Sequence, residues 1–263
     1  METLAIEIAA LFALLHLIDT LSYSIRLNSI KNGQFALSTS LFNIISLVTR
    51  VSNTLFLPAI GDLVGYSIRH RVDPIWQLRQ ILFGATIGAC IGAILIPTFL
   101  KIFGKAVNRL ELAGSVPILM LQALSIANIK KISSNTTTPR RNLLAGLRFR
   151  EIPKRLLLVN VIITAVYTVG VLAANYAATL VPQQHQLAVV QSSGLINSVA
   201  TILLTLLVDP RSATITDQAL RGKRPYGDVK ALVTLLVLTK ILGTVLAQFI
   251  FQPSTYIIAW FYR

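Results

Sequence analysis

The first apolar run of the chain carries a histidine, an aspartate, a tyrosine and an arginine at a spacing that decides where they point. His16, Asp19, Tyr23 and Arg26 follow i, i+3, i+7 and i+10, so a helix lays all four along one face. Asn43, Ser46, Arg50 and Asn53 repeat that spacing in the second run, and Lys240, Thr244 and Gln248 stand four apart in the last. A charge at the centre of a membrane helix costs about 2.5–3.5 kcal/mol, so it persists where it faces a partner or a wet cavity. Arg50 and Lys240 fall in the middle third of their runs, and two cations at that depth repel each other unless an anion lies between them. Asp19 supplies one carboxylate. Asp19 and His16 together are candidates for proton coupling, because a carboxylate and an imidazole can both change protonation state. Two plainer roles stand beside these: Asp19 with Arg50 as a structural ion pair between helices, and Arg26 as an anchor snorkelling to the interface.

The elements that must position these groups are membrane helices. Of 263 residues, 54% are hydrophobic and 13% are charged, about half the charged share of an ordinary soluble domain. The apolar residues run in stretches near the roughly 20 residues that a helix needs to cross a bilayer core. Six spans are expected, near 4–27, 35–60, 80–102, 155–180, 187–208 and 230–252, in an all-α integral membrane protein. Pro58, Pro97, Pro182, Pro210 and Pro253 are expected at or near span ends, where a missing N–H does least harm. Glu2 and Glu7 do not suit the basic start of a signal peptide, so the first segment is expected to remain as a span. If the first hairpin turns near residue 31, Asp19 lies level with Asn43, and His16 with Ser46.

Three units follow: a first membrane half, 1–105; a basic loop, 106–154; and a second membrane half, 155–263. Within the loop, 112–129 is apolar, but Pro117 interrupts it and basic clusters flank both sides, so an interfacial helix is expected there. Residues 18–26 and 162–170 share Ile18/Ile162, Thr20/Thr164 and Tyr23/Tyr167. Three spans per half is an odd number, so a repeat between the halves would be inverted. Gly84, Gly88 and Gly92 form GxxxGxxxG on the third span, a small-residue stripe for close packing inside the bundle or between the protomers of a homodimer.

The net charge of +14 is explained by topology and points away from nucleic acid. Eighteen of the 24 Lys and Arg fall in the loops after spans one, three and five or at the span ends beside them, and four (Arg69, Arg71, Arg79 and Arg263) on the other side. The positive-inside rule puts the richer side in the cytoplasm and both termini outside. Other chemistries lack their residues. His16, His70 and His185 are scattered, Cys90 is the single cysteine, and the sequence contains no P-loop, no GxSxG and no clustered carboxylates for Mg²⁺. No metal, cofactor or enzymatic role is expected.

The segments HLIDTLSYSIRL (16–27), SLFNIISLVTRVSN (40–53), YTVGVLAANYA (167–177), SSGLINSVATILLTLLVDP (192–210) and ITDQAL (215–220) resemble the Amj lipid II flippases, bacterial proteins that act as an alternative to MurJ. The resemblance covers most of the chain in the same order. It implies movement of an undecaprenyl-diphosphate-linked disaccharide-pentapeptide from the inner to the outer leaflet of a bacterial plasma membrane. On that reading Arg50, Lys240 and Arg26 would hold the diphosphate, since guanidinium grips phosphate bidentately. Asn43, Asn53, Tyr23 and Asn197 would line the headgroup path, with the polyprenyl tail left among the membrane lipids. A carrier of another polyprenyl-linked glycan or of a small anion, and a membrane enzyme acting on prenyl phosphates, are the alternatives.

In a Cys90→Ala background, a cysteine at position 135, replacing Asn135, is expected to react with an impermeant maleimide only after the cells are opened. Labelling of intact cells from outside would reverse the orientation.

Overall fold

The computed structural model describes residues 1–31, 33, 35–113 and 147–263; the side chains of 35, 50, 53–55, 102 and 105–113 lie outside that description. The described residues form nine α-helices and no strand. The first half holds α1 (Glu2–Ser22), α2 (Ile25–Lys31), α3 (Phe35–Leu55), α4 (Leu57–His70) and α5 (Ile75–Ala113). The second holds α6 (Lys154–Ala177), α7 (Gln183–Leu203), a π turn (Leu204–Val208), α8 (Asp209–Leu220) and α9 (Tyr226–Phe261). The expected interfacial helix at 112–129 lies outside the described residues, except for its first two positions, which end α5.

Five helical segments are long and apolar enough to cross a membrane: 2–31, 75–101, 154–180, 183–220 and 226–261. The second expected span differs from the others. Its apolar part, Ala36–Thr49, is short, because Asn43, Ser46 and the residues after them dilute it. The helix then breaks at Phe56, ahead of Pro58 in the first turn of α4, where a proline is tolerated and its missing N–H is no loss. The expected span 35–60 is thus a short membrane helix followed by a separate amphipathic one. Ile60, Leu63 and Val64 of α4 bury against Ala5, Ile8 and Phe12 of α1 and Leu78, Ile81 and Leu82 of α5. Helix α4 caps the end of the bundle opposite the basic loops.

Two expected helix ends are also displaced. Pro97 lies inside α5 and Pro253 inside α9, and the helices run on past them. At 1.5 Å per residue, the 39 residues of α5 span about 58 Å, well beyond a bilayer core of about 30 Å. Pro210 does perturb its helix. Its ring leaves no room for the carbonyl four residues earlier, and the chain widens into the π turn Leu204–Val208 immediately before it.

Glycine sets the helix pairing. A methyl group at Gly84 or Gly88 would overlap the carbonyls of Ala9 and Ala13, and one at Gly92 would come within 2.9 Å of the Leu17 oxygen. Steps of four on both helices mean that α5 lies parallel to α1 with their backbones touching. The stripe is therefore used inside the bundle. In the second half, a methyl at Gly243 would meet Val161 and Thr164. Asn160 donates to the Thr239 hydroxyl at 2.9 Å and the Leu236 carbonyl at 3.3 Å, so α6 and α9 also lie parallel. This second pair runs opposite to the first, as an inverted repeat requires. The outer surface carries Leu47, Phe83, Ile87, Leu158, Leu195, Leu206 and Phe249, all exposed, a lipid-facing coat that water would not tolerate. Trp76, Trp260 and Tyr256 gather where α4 caps the bundle, as interfacial aromatics do.

Gly88→Leu is expected to destabilise by about 3 kcal/mol or more, because a side chain cannot enter against a neighbouring backbone. Gly194→Leu, whose added carbon meets nothing within 4 Å, should leave the unfolding temperature in detergent close to that of the unmodified protein. Equal tolerance of the two substitutions would refute the α1–α5 contact.

Candidate transport site

The first helix stops where its polar face needs it to. A turn at Tyr23–Ser24, with the Ser24 N–H on the Leu21 carbonyl at 3.0 Å and the Ser24 hydroxyl on it at 2.6 Å, separates α1 from α2. The polar face is divided between two sites.

The upper site sits in mid-bundle. Asp19 of α1 and Lys240 of α9 form an ion pair, crossing from one half of the molecule to the other. Lys240 is sealed, with its side chain 2% exposed, whereas that of Asp19 is 38% exposed and borders a cleft. The cleft is lined by hydroxyls from the α1–α2 turn and three helices: Tyr23, Thr49 of α3, Thr164 and Tyr167 of α6, and Thr201 of α7. His16 lies on the same wall, its ring tilted by 60° against that of Phe12 at 4.9 Å, with its Nδ1 buried and without a hydrogen-bond partner. The space open to the centre of a water molecule is about 40 Å³, room for very few waters.

The lower site lies toward the basic loops. Arg26 of α2 is buried and pairs with Asp209 at the start of α8 at 3.2 Å. Its guanidinium lies 4.4 Å from the centre of the Phe42 ring and 5.7 Å from that of Tyr23, which makes it a cation held by aromatic faces and rules out the snorkelling anchor. Tyr23 also lies 5.5 Å from Lys240, so one ring stands between the two cations. A cavity of about 230 Å³ adjoins Arg26, bordered by Ser29, Ser38, Thr39, Asn43 and Thr216.

The expected register between the first two spans is shifted. Thr49, not Ser46 or Asn43, shares a cleft with His16 and Asp19, and Asn43 lies level with Arg26. The cause is the break at Tyr23–Ser24: α2 is a separate helix, so residues cannot be counted along one straight rod to the hairpin. Asn197 packs against Gly170 of α6, not on either cavity. Arg50 and Asn53 belong to α3, the former next to Thr49, and their side chains are outside the described residues. The partner of Arg26, Asp209, was not among the expected site residues. Its signal was an acidic residue beside Pro210 at the end of the fifth span, opposite an arginine at the matching end of the first.

A third polar group lies near the capped end, where Arg79 donates to the Gln248 carbonyl at 3.4 Å and to Gln252 Oε1 at 3.3 Å, and Tyr176 to Asp73 at 3.3 Å. Among the described residues, no group of three or more His, Cys, Asp and Glu could hold a metal ion.

Charged and hydroxyl side chains at successive depths, facing a cleft between two oppositely directed sets of membrane helices, define a multi-pass membrane transporter. The chain belongs to the Amj (Alternate to MurJ) family, whose sequence profile matches residues 11–262. It is 38% identical over 249 residues to the lipid II flippase Amj of Bacillus subtilis (strain 168), an overlap of 94% of this chain and 92% of that protein. No solved structure matches the chain.

The unequal burial of the pair predicts unequal costs. Asp19→Ala strands the sealed ammonium of Lys240 and should destabilise by about 3–5 kcal/mol. Lys240→Met replaces that ammonium with an apolar group of similar length and leaves the carboxylate at the cleft, so it should be the milder change by about 2 kcal/mol. Thermal unfolding of the two variants in one detergent decides, and equal losses would count against the assigned burial.

Proposed function

We propose that this protein is a lipid II flippase, moving the undecaprenyl-diphosphate-linked peptidoglycan precursor from the cytoplasmic to the outer leaflet of a bacterial plasma membrane. The observation that carries this reading is the Asp19–Lys240 pair seated at a cleft between the two halves of the bundle, in a chain of the Amj family. An ion pair across that seam can open when a competing anion arrives, and a diphosphate is such an anion.

In this reading Lys240, Arg50 and Arg26 hold the diphosphate at successive depths. Tyr23, Asn43 and Asn53 serve the sugar–peptide headgroup, Asn197 supports the α6–α7 packing behind them, and Asp19 with His16 couples proton movement to the transition. The lipid is moved without covalent change, so the protein is no enzyme. Both termini face outward and the basic end faces the cytoplasm, where the substrate is made. A space of about 40 Å³ cannot hold a disaccharide-pentapeptide, so the cleft must widen. With α1 locked to α5 and α6 to α9 by backbone contact, the widening falls between these pairs, as alternating access about an inverted repeat requires.

Purified protein in liposomes containing lipid II should expose the headgroup to an outside reagent at a rate well above that of empty liposomes, returning the lipid intact. Lys240→Met and Arg50→Ala should each reduce that rate by tenfold or more while inserting normally, and Asp19→Asn should flatten its pH dependence. Chemical alteration of the lipid would turn the assignment toward an enzyme. Full activity in all three variants would make these residues structural.

A further inference from the structure

The buried ion pair between Arg26 and Asp209 is a loading site for the diphosphate, we propose, in which Asp209 occupies the place that a phosphate oxygen takes during transport. This rests on the flippase reading and adds to it a binding step at the cytoplasmic end and a residue, Asp209, that competes with the substrate.

Three observations support the inference. Arg26 is 8% exposed, and only part of its guanidinium is satisfied. Nη2 donates to Asp209, while Nη1 is buried with no hydrogen-bond partner. A guanidinium presents its N–H groups as a fork suited to two oxygens of one phosphate, and here one prong is held by a carboxylate and the other is empty. Next, the cavity beside it is of the right chemistry. Ser29, Ser38, Thr39, Asn43 and Thr216 border about 230 Å³ of space, supplying hydroxyl and amide donors for phosphate oxygens. Pro210 and Ala213 complete the α8 wall. Finally, Asp209 is mounted to move. It is the first residue of α8 after the π turn Leu204–Val208, and such turns, with their wider and weaker bonding, recur at functional sites. Arg26 belongs to the first half and Asp209 to the second, so exchanging carboxylate for diphosphate releases one half from the other at this end.

Energetics favour a competitor over a permanent clasp. A cation buried without an anion is costly, so Asp209 keeps the empty site stable. Its presence lowers the affinity of Arg26 for any other anion by the coupling between the two. Couplings of this kind span about 5- to 150-fold.

The test uses the full chain in detergent with two probes, farnesyl diphosphate and inorganic pyrophosphate. Asp209→Asn should bind farnesyl diphosphate about fivefold or more tightly than the unmodified protein. Arg26→Gln should abolish binding at this site, alone and combined with Asp209→Asn, and Arg26→Lys should retain part of it. Both probes gaining equally would assign the site to free diphosphate, against lipid loading. If Asp209→Asn does not fold, Thr39→Cys in the Cys90→Ala background gives the second measurement, since farnesyl diphosphate should slow alkylation at this cavity-lining position at least about fivefold. Unchanged or weaker binding in a normally folded Asp209→Asn protein, or unprotected alkylation at position 39, overturns the proposal. Lipid II movement by the unmodified protein, measured in liposomes in parallel, separates the two failures. Movement without the Asp209 effect removes the loading site alone, and no movement removes the flippase reading itself.

Discussion

An ammonium sealed inside a membrane bundle cannot be left without an anion, and the rest of this molecule is arranged around that requirement. Lys240 needs Asp19 within contact distance, so a side chain of α9 must reach one of α1 in mid-bundle although the two lie at opposite ends of the sequence. That meeting depends on thin helices. Gly84, Gly88 and Gly92 let α5 press on the backbone of α1, and Gly243 lets α9 press on α6. Each contact closes the space behind the pair, so its polar face points into a cleft and not toward lipid. The glycines carry no chemistry of their own, yet they set the separation at which the charged residues can interact.

The same constraint explains which parts of the site could be read from the sequence. The lipid-facing coat and the turning of His16, Asp19 and Tyr23 toward one cleft follow from local spacing, whereas Arg26, expected on the same helix face, stands beyond the Tyr23–Ser24 turn on α2 and borders a different cavity. The identity of each partner is not local. Asp19 pairs with a lysine 221 positions away, and nothing in the periodicity of either helix points to that partner. Arg26 looked like an anchor because it ends a span. Its burial follows from the Tyr23–Ser24 turn, which redirects the chain, and from Asp209, which stands beside a proline.

Helix boundaries were the least legible feature, for one physical reason. Proline is read from sequence as a terminator, but a long membrane helix passes Pro97 and Pro253 without stopping, as membrane helices tolerate proline more readily than soluble ones do. Pro58 and Pro210 do change the chain, one by starting α4 and the other by forcing a π turn. What differs is the surroundings, since Pro58 follows a diluted apolar run and Pro210 an abrupt change from apolar to charged residues. The shortened second span is a consequence of the polar residues that make α3 useful.

The narrowness of the central cleft has a consequence for the cell's electrical state. A transporter that carried so large a polar headgroup through a water-filled tube would short-circuit the membrane, because any tube wide enough for sugars passes protons and salt freely. Here the cleft admits about 40 Å³ of water-sized space, α4 covers one end, and α3 and α7 flank it with Leu47, Val48, Leu195 and Val199 turned outward. A slot that parts between helices and closes again around the cargo, while its long tail stays in the oil, needs no standing column of water. The bilayer can then remain an insulator through every cycle, and the ion gradients that energise the cell are not drained by the building of its wall.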